Sequence, residues 1–344
     1  MISPDPADEV SGFVEAGLAD RDGYSLAGAL SGPIGERLRG SVSIGQEFKG
    51  GYAENTATGT TDDETSTAAR GKLVFDATDT LTITGTVQIT DLEAESINAS
   101  SAPTLPGGQT IPLLGFPPTA TIDASPDPYD SPLNEDGFVE LSSVLSILRI
   151  DKEFDNFTVT SLTSYQDREA EQLGDFDRTD TNVALTTFDE DSQTFSQEFR
   201  FASDNFLGGK FVGGVFYYLD DAYRDDGFNW QSDSLPFVLN MGNPVQDNTI
   251  VDIETESFAV FGLYTYDFTD RLRLSAGGRY TDETKEFTMM GRTDLPMAPA
   301  VIENYDYSDD LSFDKFDPKV SVEYDLQDNV MLFASYTEGF KSGG

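Results

Sequence analysis

The side chains able to do chemistry in this chain are nearly all carboxylates. There are 62 Asp and Glu against 21 Lys and Arg in 344 residues, with no histidine and no cysteine. That inventory removes the Ser-His-Asp triad, the Cys-His nucleophile and the usual zinc, haem and iron–sulfur ligand sets. Carboxylate pairs such as Asp225-Asp226 and Asp309-Asp310 could imitate a glycosidase acid and base, but in so acidic a chain such pairs arise by chance. No catalytic residue is assigned, and the chain is not expected to be an enzyme. Asp175-Phe176-Asp177 with Asp180, and Asn134-Glu135-Asp136-Gly137, offer oxygen ligands of the kind calcium takes. Neither has the spacing of an EF-hand loop, and solvated loop carboxylates are the default, so no metal ligand and no cofactor is assigned.

The net charge of −41 repels phosphates and excludes a nucleic-acid partner. It keeps exposed loops soluble or repels other anions; steering of a cationic substrate is the alternative. Two groups remain that could bind a small molecule. Tyr223, Phe228 and Trp230, in the run YRDDGFNW, could form an aromatic platform for a planar ligand, or the loop could simply pack on itself. Arg273 and Arg279 share one face of a strand with Arg271, a face tolerable toward a wet lumen and costly toward lipid. The pairs Gly208-Gly209, Gly213-Gly214 and Gly277-Gly278 lack the strand-to-helix context of a phosphate loop and read as close strand approaches.

The elements that must position these residues are strands. In LTITGTVQIT, Leu81, Ile83, Gly85, Val87 and Ile89 fall on one face and Thr82, Thr84, Thr86, Gln88 and Thr90 on the other. Leu272, Leu274, Ala276, Gly278 and Tyr280 repeat the alternation. Such a segment fits a soluble sandwich or a membrane barrel equally well. Its recurrence chooses between them. About thirteen strands are expected, near 10–19, 24–32, 37–48, 66–75, 80–92, 138–154, 157–167, 193–203, 210–221, 254–266, 271–287, 313–324 and 330–337. Most reach the roughly 9–11 residues a tilted strand needs to cross a bilayer.

Short turns at Gly32–Glu36, Asp76–Asp79, Asp155–Asn156, Asp204–Gly209, Asp267–Asp270 and Asp325–Asn329 alternate with long polar connections. The long connections are expected at Lys49–Thr65, Glu93–Gly137, Arg168–Ser192, Ala222–Ile253 and Thr288–Ser312. Short turns on one side and long loops on the other are the pattern of an outer-membrane barrel. The 38% hydrophobic content and the lack of an apolar run of about 18 residues exclude a helical membrane protein. Tyrosines near strand ends, among them Tyr165, Tyr264, Tyr266, Tyr324 and Tyr336, suit an interfacial girdle or simple β-propensity. The fold class is therefore all-β: an antiparallel up-and-down transmembrane β-barrel, and the resemblance that follows implies a partial, open barrel.

Several segments resemble the barrel of TonB-dependent outer-membrane receptors. These are Leu26–Asn55, the pair Phe195–Ser203 and Gly208–Tyr218, Ser257–Phe287, and Val330–Gly344 with the run YTEGFKSGG at Tyr336–Gly344. The resemblance runs nearly end to end. It implies that residues 1–344 are barrel, beginning about where the family's plug domain ends and stopping before its closing strands. The N-terminal MISPDPADEV has neither the basic nor the apolar region of a signal peptide. By resemblance, the whole protein is a receptor in the outer membrane of a Gram-negative bacterium, surrounded by lipid and lipopolysaccharide. It imports a scarce nutrient, a ferric siderophore being the expected one, and meets the TonB energy-coupling complex through the missing plug. A passive porin and a secreted soluble β-sheet binding protein are the alternatives.

Overall fold

A computed structural model describes residues 4–96, 129–176, 182–234, 236–237, 240–243, 245–295 and 300–343. The described chain is one antiparallel sheet of thirteen strands in simple sequence order, with a two-stranded parallel sheet beside it. In chain order the strands are β1 (Ser11–Leu18), β2 (Tyr24–Pro33), β3 (Leu38–Lys49), the short β4 (Glu54–Asn55), β5 (Glu64–Thr78), β6 (Leu81–Ser96) and the short β7 (Asp130–Ser131). They continue as β8 (Gly137–Glu153), β9 (Thr158–Asp175), β10 (Ala184–Phe206), β11 (Gly209–Trp230), β12 (Val245–Thr269), β13 (Leu272–Leu295), β14 (Ala300–Gln327) and β15 (Val330–Thr337). Strands β4 and β7 form the small sheet; the rest form the meander, and among the described residues it does not close: β1 and β15 each pair on one side only. No helix among these residues is long and apolar enough to cross a membrane.

Register carries a side chain's face from one strand to the next. Ile83 of β6 stands opposite Phe75 and Ile150, and Ile150 opposite Ser161, Phe199, Val215, Val260, Tyr280 and Phe316 in turn. That face holds the apolar set, and it is open: Val87 is 47% and Ile89 52% exposed, while Thr82, Thr84, Thr86 and Thr90 are more covered. Dry packing is nearly lacking among the described residues, where the buried apolar cluster is just Ala53 and Leu133. A soluble sandwich would put the Leu81–Ile89 face into a core between two sheets. Here a belt of side chains such as Leu73, Val87, Leu148, Phe199, Val260 and Val320 runs around one side of a single sheet, facing outward.

The short turns fall where expected. Leu207 and Gly208, both at positive φ, make a two-residue hairpin between β10 and β11. Gly277 is a close approach: a Cβ there would run into the carbonyl of Gly262 on β12.

The long connections differ from expectation. Arg168–Ser192, Ala222–Ile253 and Thr288–Ser312 are mostly ladder. Strands β10 to β14 run 22 to 28 residues each, and β13 passes to β14 across only residues 296–299. At about 3.3 Å per residue, a strand of that length far exceeds a hydrocarbon layer of about 30 Å. The residues past the belt are rich in Asp and Thr because both faces are wet there. The alternation fades, yet the backbone hydrogen bonds continue. The segment Lys49–Thr65 is a connection apart from β4 and the start of β5, and most of Glu93–Gly137 lies outside the described residues.

Past the belt the outward face turns acidic. Glu93, Glu140, Glu171, Asp189 and Asp225 stand opposite one another on β6, β8, β9, β10 and β11. Asp221, Glu254, Glu286 and Asp310 do the same on β11 to β14. Directly opposed like charges are destabilising by a few tenths of a kcal/mol or more per pair. Glu254→Gln, flanked on both sides by carboxylates, is therefore expected to raise the stability of the intact protein in detergent by about 0.5 kcal/mol, less at 1 M salt. Heat-unfolding curves at the two salt concentrations check this, and a lower midpoint would contradict it. In lipid, Leu148→Arg in the belt is expected to cost about 2–4 kcal/mol, whereas Thr90→Arg on the opposite face costs under about 1 kcal/mol. Equal losses in refolding titrations would mean that the faces are assigned the wrong way round.

Candidate functional site

The face opposite the belt is polar and hollow. An open concavity of about 830 Å³ lies on it between β11 and the end of β15, lined by Phe216, Tyr218, Phe261, Arg279, Glu283 and Lys319 among others. All six occupy alternate positions that register places on one face with the polar side of β6. Arg279 points into this hollow. Its Nε donates to Thr281 Oγ1 at 3.0 Å, and its guanidinium lies 5.3 Å from the centre of the Phe216 ring, which gives the charge an aromatic floor. Arg273 lies on the same face nearer the short-turn end, held by Asp267 at 3.0 Å and Glu323 at 2.6 Å. Both arginines therefore stand on the face opposite the apolar belt.

Several cations on this face are matched by carboxylates two residues away or on the next strand. Arg200 pairs with Glu198, Arg224 with Asp226 at 2.9 Å, and Arg168 with Glu190 at 3.0 Å. The period of two makes i and i+2 neighbours on one face, which is why Arg-x-Asp and Glu-x-Arg runs become ion pairs. Arg224 also lies 4.6 Å from the centre of the Phe188 ring on β10.

The aromatic run YRDDGFNW is not a loop; it is the far end of β11. Phe228 and Trp230 share the polar face, with ring centres 4.8 Å apart and planes at 62°. Tyr223, an odd number of residues away, stands on the outward face between Asp191 of β10 and Asp252 of β12. The three do not form one platform. Phe176, just past β9, takes the place given to Tyr223: its ring meets Phe228 edge-on at 4.6 Å. The Trp230 indole N–H donates to Asp247 on β12 at 2.8 Å, and Asp247 also accepts from Thr293 of β13 at 2.5 Å. Phe176 and Asp247 carry no local signal that links them to Trp230, since the link depends on which strands are neighbours.

Among the described residues no three carboxylates converge as a metal site. In the Asn134–Gly137 run, Asp136 accepts hydrogen bonds from side chains of a distant segment. Asp177 and Asp180 of the other acidic run lie outside the described residues. The glycine pairs sit in strands and a hairpin, as close approaches require.

A family model described as TonB dependent receptor-like, beta-barrel matches residues 90–344. Among solved structures, the chain is similar to the ferric yersiniabactin uptake receptor FyuA from Yersinia pestis. The identity is 17% and the TM-score 0.70, over 96% of this chain and 46% of that one. It is similar to the siderophore receptor PiuA from Acinetobacter baumannii at 12% identity and TM-score 0.68, covering 97% and 49%. The closed form of the ferric-catecholate import receptor Fiu from E. coli K12 matches at 14% identity and TM-score 0.69, covering 98% and 51%. The chain spans about half the length of these structures, and at such identities the likeness is one of fold.

Trp230 is the single tryptophan, so its fluorescence reports on this cluster alone. Asp247→Ala removes the acceptor of the indole N–H and opens the ring to water. The expected result is a red-shifted emission and stronger quenching by iodide, whereas Tyr223→Ala, on the other face, leaves both unchanged. An unshifted spectrum in Asp247→Ala would show that the indole is not held as described.

Proposed function

The chain belongs to the TonB-dependent receptor β-barrel family, and from that membership we propose that residues 1–344 form part of the wall of an outer-membrane importer. The whole protein would capture a scarce nutrient at its outer mouth and pass it through the lumen under TonB-coupled energy. A ferric siderophore is the proposed cargo, the class carried by the relatives of like fold. The belt faces lipid and, at its upper edge, lipopolysaccharide. The polar face with Arg273 and Arg279 lines the lumen. The energy-coupling complex acts through a plug domain. A wall of this kind has no catalytic task.

One observation carries the reading: the outward apolar positions run from the short turn only to Phe258 on β12 and Tyr280 on β13, roughly the 9–11 residues that cross a bilayer, while β10 to β14 continue well beyond them on one side alone. A wall that merely sealed a pore would have no use for hairpins of that height. They present Phe176, Phe228 and Trp230 on the lumen side above the membrane, where a cargo arrives, and these rings are the proposed contact surface. A passive porin shares the belt but works without energy coupling.

Uptake by cells carrying the intact protein separates the two. Accumulation of iron-loaded siderophore is expected to cease when the energy-coupling complex is deleted; unaffected uptake would favour the porin. Trp230→Ala is expected to weaken cargo binding to the intact protein about ten-fold, the loss of roughly 1.4 kcal/mol of ring contact. An unchanged dissociation constant would remove the aromatic cluster from the site.

A further inference from the structure

At the long-connection end of β3 to β8, two segments lie outside the thirteen-stranded ladder, and one buried amide ties them together. Strands β4 and β7 pair in parallel, with Glu54 N–H donating to Tyr129 O at 2.9 Å and Thr56 N–H to Ser131 O at 3.0 Å. Asn55 between them is fully buried. Its Nδ2 donates to Leu133 O at 3.1 Å and to Asp136 Oδ1 at 2.7 Å; its Oδ1 accepts from Leu133 N–H and Ala57 N–H, each at 3.0 Å. Every bonding position of that amide is used. The Asp136 carboxylate then gathers the rest of the turn. Thr58 donates to its Oδ1 and Thr60 to its Oδ2, both at 2.8 Å, across a bend that Gly59 makes at positive φ.

We propose that Asn55, Thr58, Thr60 and Asp136 are a polar latch that locks segments 50–62 and 129–136 together at the outer rim, closed by the ionised carboxylate and released in acid without loss of the strand ladder. Among the described residues neither segment has ladder bonds to the large sheet, and the buried apolar cluster beneath the latch is Ala53 with Leu133. What joins the two segments is the β4–β7 pairing and the bonds to Asn55 and Asp136, of which Asp136 is the titratable group. The strands on either side keep their own registers regardless.

The charged group that bears on Asp136 is acidic: Glu95 of β6 feels its charge, and Glu95 in turn feels Asp63 before β5 and Glu140 of β8. Glu135 precedes Asp136, Glu54 and Asp130 lie on the short strands, and Asp62 accepts from the Tyr52 and Ala53 amides. Two cations border segment 50–62: Lys49 is engaged by Glu64 at 2.9 Å, and Arg21 donates to Gly50 O at 3.3 Å and lies over the Tyr52 ring. Burial pushes the Asp136 carboxyl up, but the hydrogen bonds from Asn55, Thr60 and Thr58 outweigh it and leave it below its ordinary value. Its contribution to the latch is thus present above the ordinary aspartate range and lost as pH falls through the lowered value. Glu95 runs the other way. Burial first, then the charges of Asp63, Asp136 and Glu140, raise it, so its contribution is present in acid and lost as pH rises through the raised value. The latch is tightest in the interval between the two.

Amide hydrogen exchange of the intact protein in detergent micelles, expressed as protection factors, tests this. Asn55→Ala and Asp136→Asn are expected to lower protection at residues 53–57 and 131–133 by about ten-fold or more, while the β5, β6 and β8 amides keep theirs. In the unaltered protein, protection at the same amides should be greatest in mild acid and collapse below the ordinary aspartate range; in Asp136→Asn that collapse should vanish. Should Asp136→Asn fail to fold, the pair Thr58→Val with Thr60→Val is expected to show the same local loss. Unchanged protection in these variants, or a loss shared equally by the neighbouring strands, overturns the latch.

Discussion

The constraint on which the rest of this structure depends is the backbone's need for hydrogen-bond partners where water is absent. In hydrocarbon an unpaired N–H or C=O costs several kcal/mol, so a chain that crosses as strands must pair each with its neighbours. Here that pairing is continuous from β1 to β15, skipping only the two short strands of the side sheet. Register slips are few, and most lie beside the short turns: Asp76/Thr78, Ser203/Phe206, Asp267/Thr269 and Asp325/Gln327. The hydrophobic belt follows from the same constraint. A continuous ladder keeps parity from strand to strand, and a slip of one residue would turn every leucine of the next strand toward the lumen.

Parity also sorts the charges. On the inner face, Arg200, Arg224 and Arg273 have carboxylate partners at hand, so the lumen wall is a lattice of ion pairs with aromatic floors. On the outer face above the belt, carboxylates oppose carboxylates over four or five successive strands. Exposed to water and salt, each pair costs little, and the ladder beneath supplies the stability that the side chains forgo. Among the described residues, rows of like charge thus lie on the outward face above the belt, while the opposite face carries ion pairs.

Where the ladder stops, the protein uses side chains. The aromatic group at the end of β11 is held by Asp247 and Thr293 from the next two strands. The Asn55–Asp136 cluster joins segments about eighty residues apart in sequence. Both are polar solutions to a position that has no core to pack against. Both place a carboxylate where burial is partial and several donors converge, which makes them sensitive to substitutions that a lipid-facing position would tolerate.

What the amino-acid sequence determined by itself was the local rule. The two-residue period set which side chains share the apolar face, Asp, Asn and Gly marked the short turns, and Arg273 and Arg279 were placed on the face opposite it, because each follows from residues a few positions apart. The sequence also carried the parity that separates Tyr223 from Phe228 and Trp230, though that becomes visible only once the run is known to be strand. The tertiary structure alone decided that Arg168–Ser192, Ala222–Ile253 and Thr288–Ser312 continue as tall hairpins. With water on both faces the apolar contrast that reveals a strand disappears, while the hydrogen bonds that make it persist. It alone decided that Phe176 meets Phe228, and that Asn55 lies against Asp136. Those meetings are set by which strands are neighbours and in what register, and a partner of that kind leaves no mark in the residues beside it.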